Sequence, residues 1–233
     1  MPQTRKGWPA DFDFEHDPVC QKSFRPYIED QLQKLAAFDA RRPKETTYIF
    51  HEHARRVAQD VKNACLHLHL GDAVANNMYW AILIHDIGKM QLPIEIWDKA
   101  EKPSEQMKAF RRTHTRLGAD SFSRHFAHIE HPFKDLALEI MRYHHEQMDG
   151  MGTEKLPAEA LSPPVRLAAI VEAFDGWSIP RPHFGKRDVK PPAVLKRMKT
   201  EKAHMFDAEL LESFAEMKTA EYKKTSRKRK KKE

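Results

Sequence analysis

Apolar residues recur along this chain at intervals of three and four, and strict alternation is rare. That period is the helical one, in which positions i, i+3, i+4 and i+7 share a face, whereas a half-buried strand needs a period of two. The chain therefore reads as all-α, with Pro and Gly marking the breaks. The pattern predicts a helix over residues 22–40, broken by "RRPKET" at Pro43. A long helix follows to about Leu70, capped by Thr46 or Thr47, with Val57, Val61, Ala64, Cys65 and Leu68 on one face. Gly71 stops it, and Asp72 caps the next, "AVANNMYWAILIHD". Beyond a short amphipathic piece at 94–97, one helix is predicted over 104–126. Pro132 opens another through "LALEIMRYHHE", and Pro163 and Pro164 start the strongly apolar "VRLAAIVEAFDGW". Two shorter helices are predicted at 193–199 and 208–218, and residues 1–20 read as an irregular lead-in.

The 233 residues suffice for one good-sized domain. No internal repeat and no Ser/Gly linker divides them, so the expected layout is a lead-in and helix over 1–43, a main domain over 44–220 and a basic tail over 221–233. The tail segment "KKTSRKRKKKE" holds eight Lys or Arg in eleven residues, a block that repels itself and is expected to be disordered. Removing its seven net positive charges from the total of +6 leaves the remainder near −1, so basicity belongs to the tail and not to the fold. The tail could touch an anionic surface or nucleic acid. Nucleic-acid binding as the main role is disfavoured, because no aromatic-basic stacking pattern or recognition helix accompanies it. Cys20 and Cys65 lack motif spacing, and no apolar stretch has membrane-span length or signal-peptide character. A cytoplasmic protein without a disulfide framework is the expectation.

Chemistry gathers where apolar runs end. "ILIHDIGKM" carries three apolar residues into His85 and Asp86, with Lys89 three residues on. His53 lies on the long helix, His114 follows "AFRRT", His144 and His145 close a helix, and Glu172 interrupts "AAIVEAFDGW". An unpartnered carboxylate is costly to bury, and a divalent transition metal ligated by imidazole and carboxylate relieves that cost. Adjacent His and Asp could give one imidazole to one ion and a carboxylate bridging two, and Lys89 could then neutralise a phosphate oxygen. A lone His on an apolar face is more often a hydrogen-bonded core residue. His16, His67, His69, His125, His128, His131 and His204 are read in that way, as structural or surface residues.

Taken together, "HARRV", "AILIHDIGKMQLPIEIWDK", "THTRLGAD", "HHEQMDGMG", "PPVRLAAIVEAFDGW" and "FDAELLESF" resemble, in order and spacing, the HD-GYP subgroup of the HD-domain metal-dependent phosphohydrolases. The likeness runs from about His53 to Phe214. It implies a single all-α HD-domain bundle holding two or three metals, commonly iron or manganese. The implied reaction is hydrolysis of a phosphodiester, usually in cyclic di-GMP. Carried over residue by residue, the implied ligands are His53, His85, Asp86, His114, His144, His145 and Glu172. Asp86 and Lys89 would be catalytic, and Lys89 and Arg181 would hold substrate.

This chain departs from that pattern in several places. "GTEKLP" keeps Gly152 but puts Thr153 and Glu154 where the subgroup has Tyr and Pro. Glu172 replaces the usual Asp. Ile49 stands where some members place a third-metal Glu, so two cations are expected. Phe184 falls where the family has a basic residue, with Lys186 as a plausible substitute. The resulting expectation is a phosphohydrolase using a metal-activated hydroxide, with Glu146 or Asp149 relaying a proton or orienting ligand imidazoles. The alternatives are another nucleotide substrate, or a degenerate nucleotide-binding module that signals through a protein partner.

Overall fold

The structure is a computed structural model that describes residues 6–99, 101–181 and 184–230, with side chains through Arg227. It is built from helices, and no strand occurs among the described residues. After a π-turn at Cys20–Phe24 come α1 (Arg25–Asp39), α2 (Phe50–His67), α3 (Asp72–Ile82), α4 (Glu105–Arg112) and α5 (His114–His125). α6 (Pro132–Tyr143), α7 (Pro163–Ser178), α8 (Pro191–Thr200) and α9 (Ala208–Lys230) complete the chain. Short 3-10 turns at Ile87–Gln91 and Ile94–Ile96 link α3 to α4. None of these helices is long and apolar enough to cross a membrane.

α2 is the central post, lying against α1, α3, α7 and α9. Its predicted face is buried at Val57, Val61, Ala64 and Cys65. α7 buries residues on nearly every side, from Pro164 to Gly176, as its unbroken apolar run requires. Its Ser162 cap accepts from the Val165 amide, and prolines fill its first turn, where an amide would lack a partner.

Several expectations change. Neither Thr46 nor Thr47 caps α2: the helix starts at Phe50, and Thr47 donates its hydroxyl to the Pro180 carbonyl, 133 positions away. Asp39 takes the capping role by accepting from the Phe50 and His51 amides at 3.1 and 2.9 Å. α2 ends at His67 rather than Leu70, and Asp72 opens α3 instead of capping it. The single helix expected over 104–126 is two, broken at Thr113. α4 is an outer helix with no buried residue, while α5 turns inward and buries His114, Gly118, Ala119 and Phe122.

Gly88 explains that inward turn. A Cβ there would come within 2.0 Å of the His114 carbonyl oxygen and 2.6 Å of the Gly118 amide. The glycine thus serves close approach between the 87–91 turn and α5, which sets His114 beside the end of α3.

The lead-in is built into the core. Phe14 is completely buried, its amide donates to the Asn77 side chain at 2.7 Å, and Asn77 donates back to the Pro9 and Phe12 carbonyls. At the other end α9 runs to Lys230, so helical backbone continues through most of the segment whose charge predicts disorder. Lys and Arg are good helix formers, and the segment extends a helix already nucleated by packed turns. Residues 231–233 lie outside the described residues.

Candidate metal centre

The chain leaves helical geometry at the end of α3. Ile82–Ile84 are buried, and His85 and Asp86 follow in a turn, both at 0% exposure. Asp86 sits at φ −105°, ψ 3°, a turn conformation outside the helical range. Four other segments converge there. α2 brings His53, the start of α5 brings His114, the end of α6 brings His144 and His145, and α7 brings Glu172.

Their ligand-type atoms form two groups. His53, His85, Asp86 and Glu172 make one and His114, His144 and His145 the other, with the atoms of each group within 4.8 Å of one another. Asp86 joins them. Its Oδ2 lies 3.3 Å from His85 Nε2 and 3.5 Å from His53 Nε2, while its Oδ1 lies 3.0 Å from His114 Nε2 and 3.8 Å from His144 Nε2. Glu172 Oε2 closes the first group at 2.7 Å from His53 and 3.3 Å from His85.

The outer ring nitrogens fix which nitrogen faces inward. Nδ1 of His85, His114 and His144 donates to the carbonyls of Ile82, Arg111 and Ile140 at 2.6, 2.7 and 3.0 Å. His53 Nδ1 contacts Asp175 Oδ2 at 2.6 Å. When neutral, each ring therefore turns its Nε2 lone pair inward. His114 and His144 Nε2 face each other at 3.4 Å, an arrangement that two lone pairs sustain only with a proton or cation between them. His53 Nε2, His85 Nε2, Asp86 Oδ1 and Glu172 Oε2 are all buried without a hydrogen-bond partner. Buried polar atoms left in that way are costly, and this donor set suits divalent transition metals.

The electrostatics agree. Burial pushes the Asp86 carboxyl up, but His85, Lys89 and His114 outweigh it and hold its pKa well below the usual range. Glu172 is likewise held down against burial by His53 and His85. Burial and the neighbouring His85 lower His144 to about 3, and burial with His144 lowers His145 well below its ordinary value. His144 and His145 are thus neutral imidazoles, the form that ligates. In the first group burial opposes the proton, yet Asp86 and Glu172 raise His85 to about 10. Positive charge is wanted at that place.

The remaining candidates fall around this cluster. Lys89 is buried with its ammonium on Asp86 Oδ2, and it lies 4.5, 5.4 and 5.8 Å from the ring centres of Phe50, Tyr48 and Trp97. Arg181 stacks on Tyr48 at 3.9 Å. Lys186 is exposed on the turn beyond and is not brought to the cluster. Glu146, a candidate relay or orienting acid, has both oxygens on backbone amides. It is buried and accepts from the Glu154 and Leu156 amides at 2.7 and 2.8 Å, which ties down the loop after α6. A Cβ on Gly152 would fall 2.5 Å from the Glu146 Cα, so that loop closes only on glycine. Asp149 accepts from the Met151 amide and lies 3.7 Å from His204, away from the imidazoles.

Sequence reasoning missed Asp175, the carboxylate that orients His53 and also binds Arg56 at 2.7 and 3.0 Å. The available signal was its spacing, three residues after Glu172 on one helix, which puts both acids on one face.

A family model described as HD domain matches residues 43–210. The chain is 25% identical over 157 residues to the 3'3'-cGAMP-specific phosphodiesterase 1 of Vibrio cholerae, covering 67% of this chain and 35% of that protein. It is 28% identical over 149 residues to a cyclic di-GMP phosphodiesterase of Pseudomonas aeruginosa, covering 63% and 34%. A cyclic di-GMP phosphodiesterase of Thermotoga maritima is 23% identical over 200 residues, covering 83% and 50%. The alignments thus span between a third and a half of the length of these curated relatives. Among solved structures, an HDG"Y"P protein from Bdellovibrio bacteriovorus superposes with a TM-score of 0.61 at 16% identity, covering 88% of this chain and 64% of that one. The HD domain of the phosphodiesterase PgpH from L. monocytogenes gives 0.54 at 14% identity, covering 85% and 98%. At such identities these two likenesses speak to fold.

Proposed function

The chain belongs to the HD-domain family, and from that membership we propose that it is a metal-dependent phosphodiesterase acting on a cyclic dinucleotide, with cyclic di-GMP the first candidate. Asp86 carries this reading. Its two oxygens face two separate groups of inward-turned ligand atoms, an arrangement suited to a pair of divalent cations, iron or manganese by donor type. His53, His85, Asp86 and Glu172 would hold one cation, and His114, His144 and His145 with Asp86 the other. Bound cations supply Lewis-acid polarisation of a phosphoryl oxygen and lower the pKa of water towards neutrality.

The chain's own residues set the rest. Asp175 fixes the His53 tautomer, and the Ile82, Arg111 and Ile140 carbonyls fix those of His85, His114 and His144. Lys89 balances the Asp86 charge and offers a cation to a phosphate oxygen. Arg181, held 3.9 Å over the Tyr48 ring, offers the planar fork that suits phosphate. The related phosphodiesterases are named for cyclic di-GMP and 3'3'-cGAMP, which share a cyclic backbone of two phosphodiesters and differ in base.

Metal analysis of chain purified without oxygen, with turnover of cyclic dinucleotides, a linear dinucleotide and nucleotide phosphates under Mn and Fe, tests the proposal. About two cations per chain and preferential opening of a cyclic dinucleotide are expected. A chain that takes up no transition metal, or that carries metal and cleaves no phosphoester, defeats it.

A further inference from the structure

Several arginines of this fold rest on aspartates. Arg42 binds Asp39 and Asp98, Arg56 binds Asp175, and Arg166 binds Asp207. Arg111 and Arg181 differ: each has a buried Nε with no partner, and neither forms an ion pair among the described residues. Arg111 spends one terminal nitrogen on the Ile96 carbonyl. Asp98 is the acid nearest in effect, but Arg42 already holds it through two bonds of 2.9 and 2.7 Å.

Each of the two unpaired guanidiniums lies by an aromatic ring that meets a candidate ligand. Arg181 lies 3.9 Å from the ring centre of Tyr48, and Tyr48 packs on His53 with ring centres 4.9 Å apart. Arg111 lies 5.8 Å from the ring centre of Trp97, and Trp97 meets His114 edge-on at 6.3 Å. The Lys89 ammonium lies within 6 Å of both Tyr48 and Trp97. Three cations therefore border a two-ring wall of Tyr48 and Trp97 that packs against the candidate metal cluster. Like charges held together over apolar rings, with N–H groups unspent, call for an anion of planar oxygens.

We propose that Arg111 is a substrate-binding residue that joins Arg181 in holding a second phosphate, beyond the scissile one, so that the site prefers an ester carrying two phosphodiesters. The proposal rests on the phosphodiesterase reading and adds the residue that would tell a cyclic dinucleotide from a simple diester.

Arg111→Met keeps the aliphatic stem over Trp97 and removes the fork, while Arg111→Lys keeps charge without the fork. In the full metal-loaded chain, Arg111→Met should leave metal content unchanged. Its kcat/KM on bis(p-nitrophenyl) phosphate, which has one phosphodiester, should stay within about twofold. KM for cyclic di-GMP should rise roughly tenfold or more with kcat retained, since the lost bonds are charge-assisted. Calorimetric affinity for cyclic di-GMP in the Ca²⁺-loaded chain should fall by the same factor, and Arg111→Lys should recover part of it. Unchanged cyclic di-GMP affinity in Arg111→Met overturns the proposal. So does an equal loss on both esters with metal released, which would mark Arg111 as mere support for His114. A wild-type chain that cleaves the small diester but neither binds nor cleaves cyclic di-GMP overturns it too, leaving the phosphodiesterase reading intact. Arg111-dependent binding of cyclic di-GMP without cleavage of either ester keeps the proposal and removes that reading.

Discussion

Among the described residues, two clusters have the composition of a metal site. One is the Asp86 centre; the other is Asp17, Cys20 and His131, whose ligand-type atoms also lie within 4.8 Å of one another. The difference is in the hydrogen bonds. His131 Nδ1 accepts from the Phe133 amide at 3.1 Å, as the cap of α6, so its proton is on Nε2, which points to Asp17 at 3.3 Å. Asp17 Oδ1 accepts from the Cys20 amide at 2.9 Å. Both nitrogens of His131 are spent in this way, and its ring turns no bare lone pair to an ion. At the Asp86 centre Nδ1 contacts a carbonyl or carboxylate in four rings, and the Nε2 atoms of His53 and His85 are buried without a hydrogen-bond partner. A list of His, Cys and Asp does not define a metal site; the tautomer does.

The comparison breaks most sharply at Asp86. Asp86→Ala should empty both metal positions and lower turnover by about a thousandfold or more, read by elemental analysis beside kinetics. Retained activity would end the two-group description. Lys89→Ala should keep the metals and slow kcat by about a hundredfold, as loss of a transition-state charge donor does.

Proton competition gives the next effect. Burial lowers His85, but Asp86 and Glu172 raise it from an ordinary 6.5 to about 10 in the cation-free chain. With the folded value above the unfolded one, the stability that this proton confers is complete below pH 6.5 and is lost as pH climbs through about 10. A cation must displace the proton, so metal affinity should rise by about tenfold per pH unit between about pH 7 and 9. A flat profile in a metal-buffered titration would contradict that. Asp175→Asn, which leaves His53 free to choose the other tautomer, should weaken metal binding by about tenfold without removing a ligand. Smallest of all, His131→Ala should cost about 1 kcal/mol of stability by denaturant unfolding, through loss of a helix cap, and should change neither metal content nor turnover. Metal loss in that variant would erase the distinction between the two clusters.

Much of this was legible along the chain. The helical period of Val57, Val61, Ala64 and Cys65 announces α2, and the proline pair at 163–164 announces the start of α7. The seven ligand candidates were singled out by helix ends, apolar context and likeness to the HD-GYP pattern, and the fold brings all seven into two adjoining groups. Other roles were not legible because they belong to the far end of a contact. Thr47 looks like a cap until Pro180 takes its hydroxyl, and Glu146 looks like a relay until two amides of the following loop take its carboxylate. Gly88 reads as a turn residue, yet the requirement comes from α5 lying against it.

Sequence by itself determined the all-helical architecture, because helical period and proline placement are properties of neighbouring residues and of which face shuns water. It also determined the supply of imidazoles and carboxylates. Tertiary structure alone decided which of fourteen histidines converge, which nitrogen each presents, and that Arg111 and Arg181, seventy positions apart, stand unpaired around one aromatic wall. A lone pair's direction is set by the carbonyl or acid behind the ring, and a guanidinium's want of a partner by what the surrounding helices fail to bring.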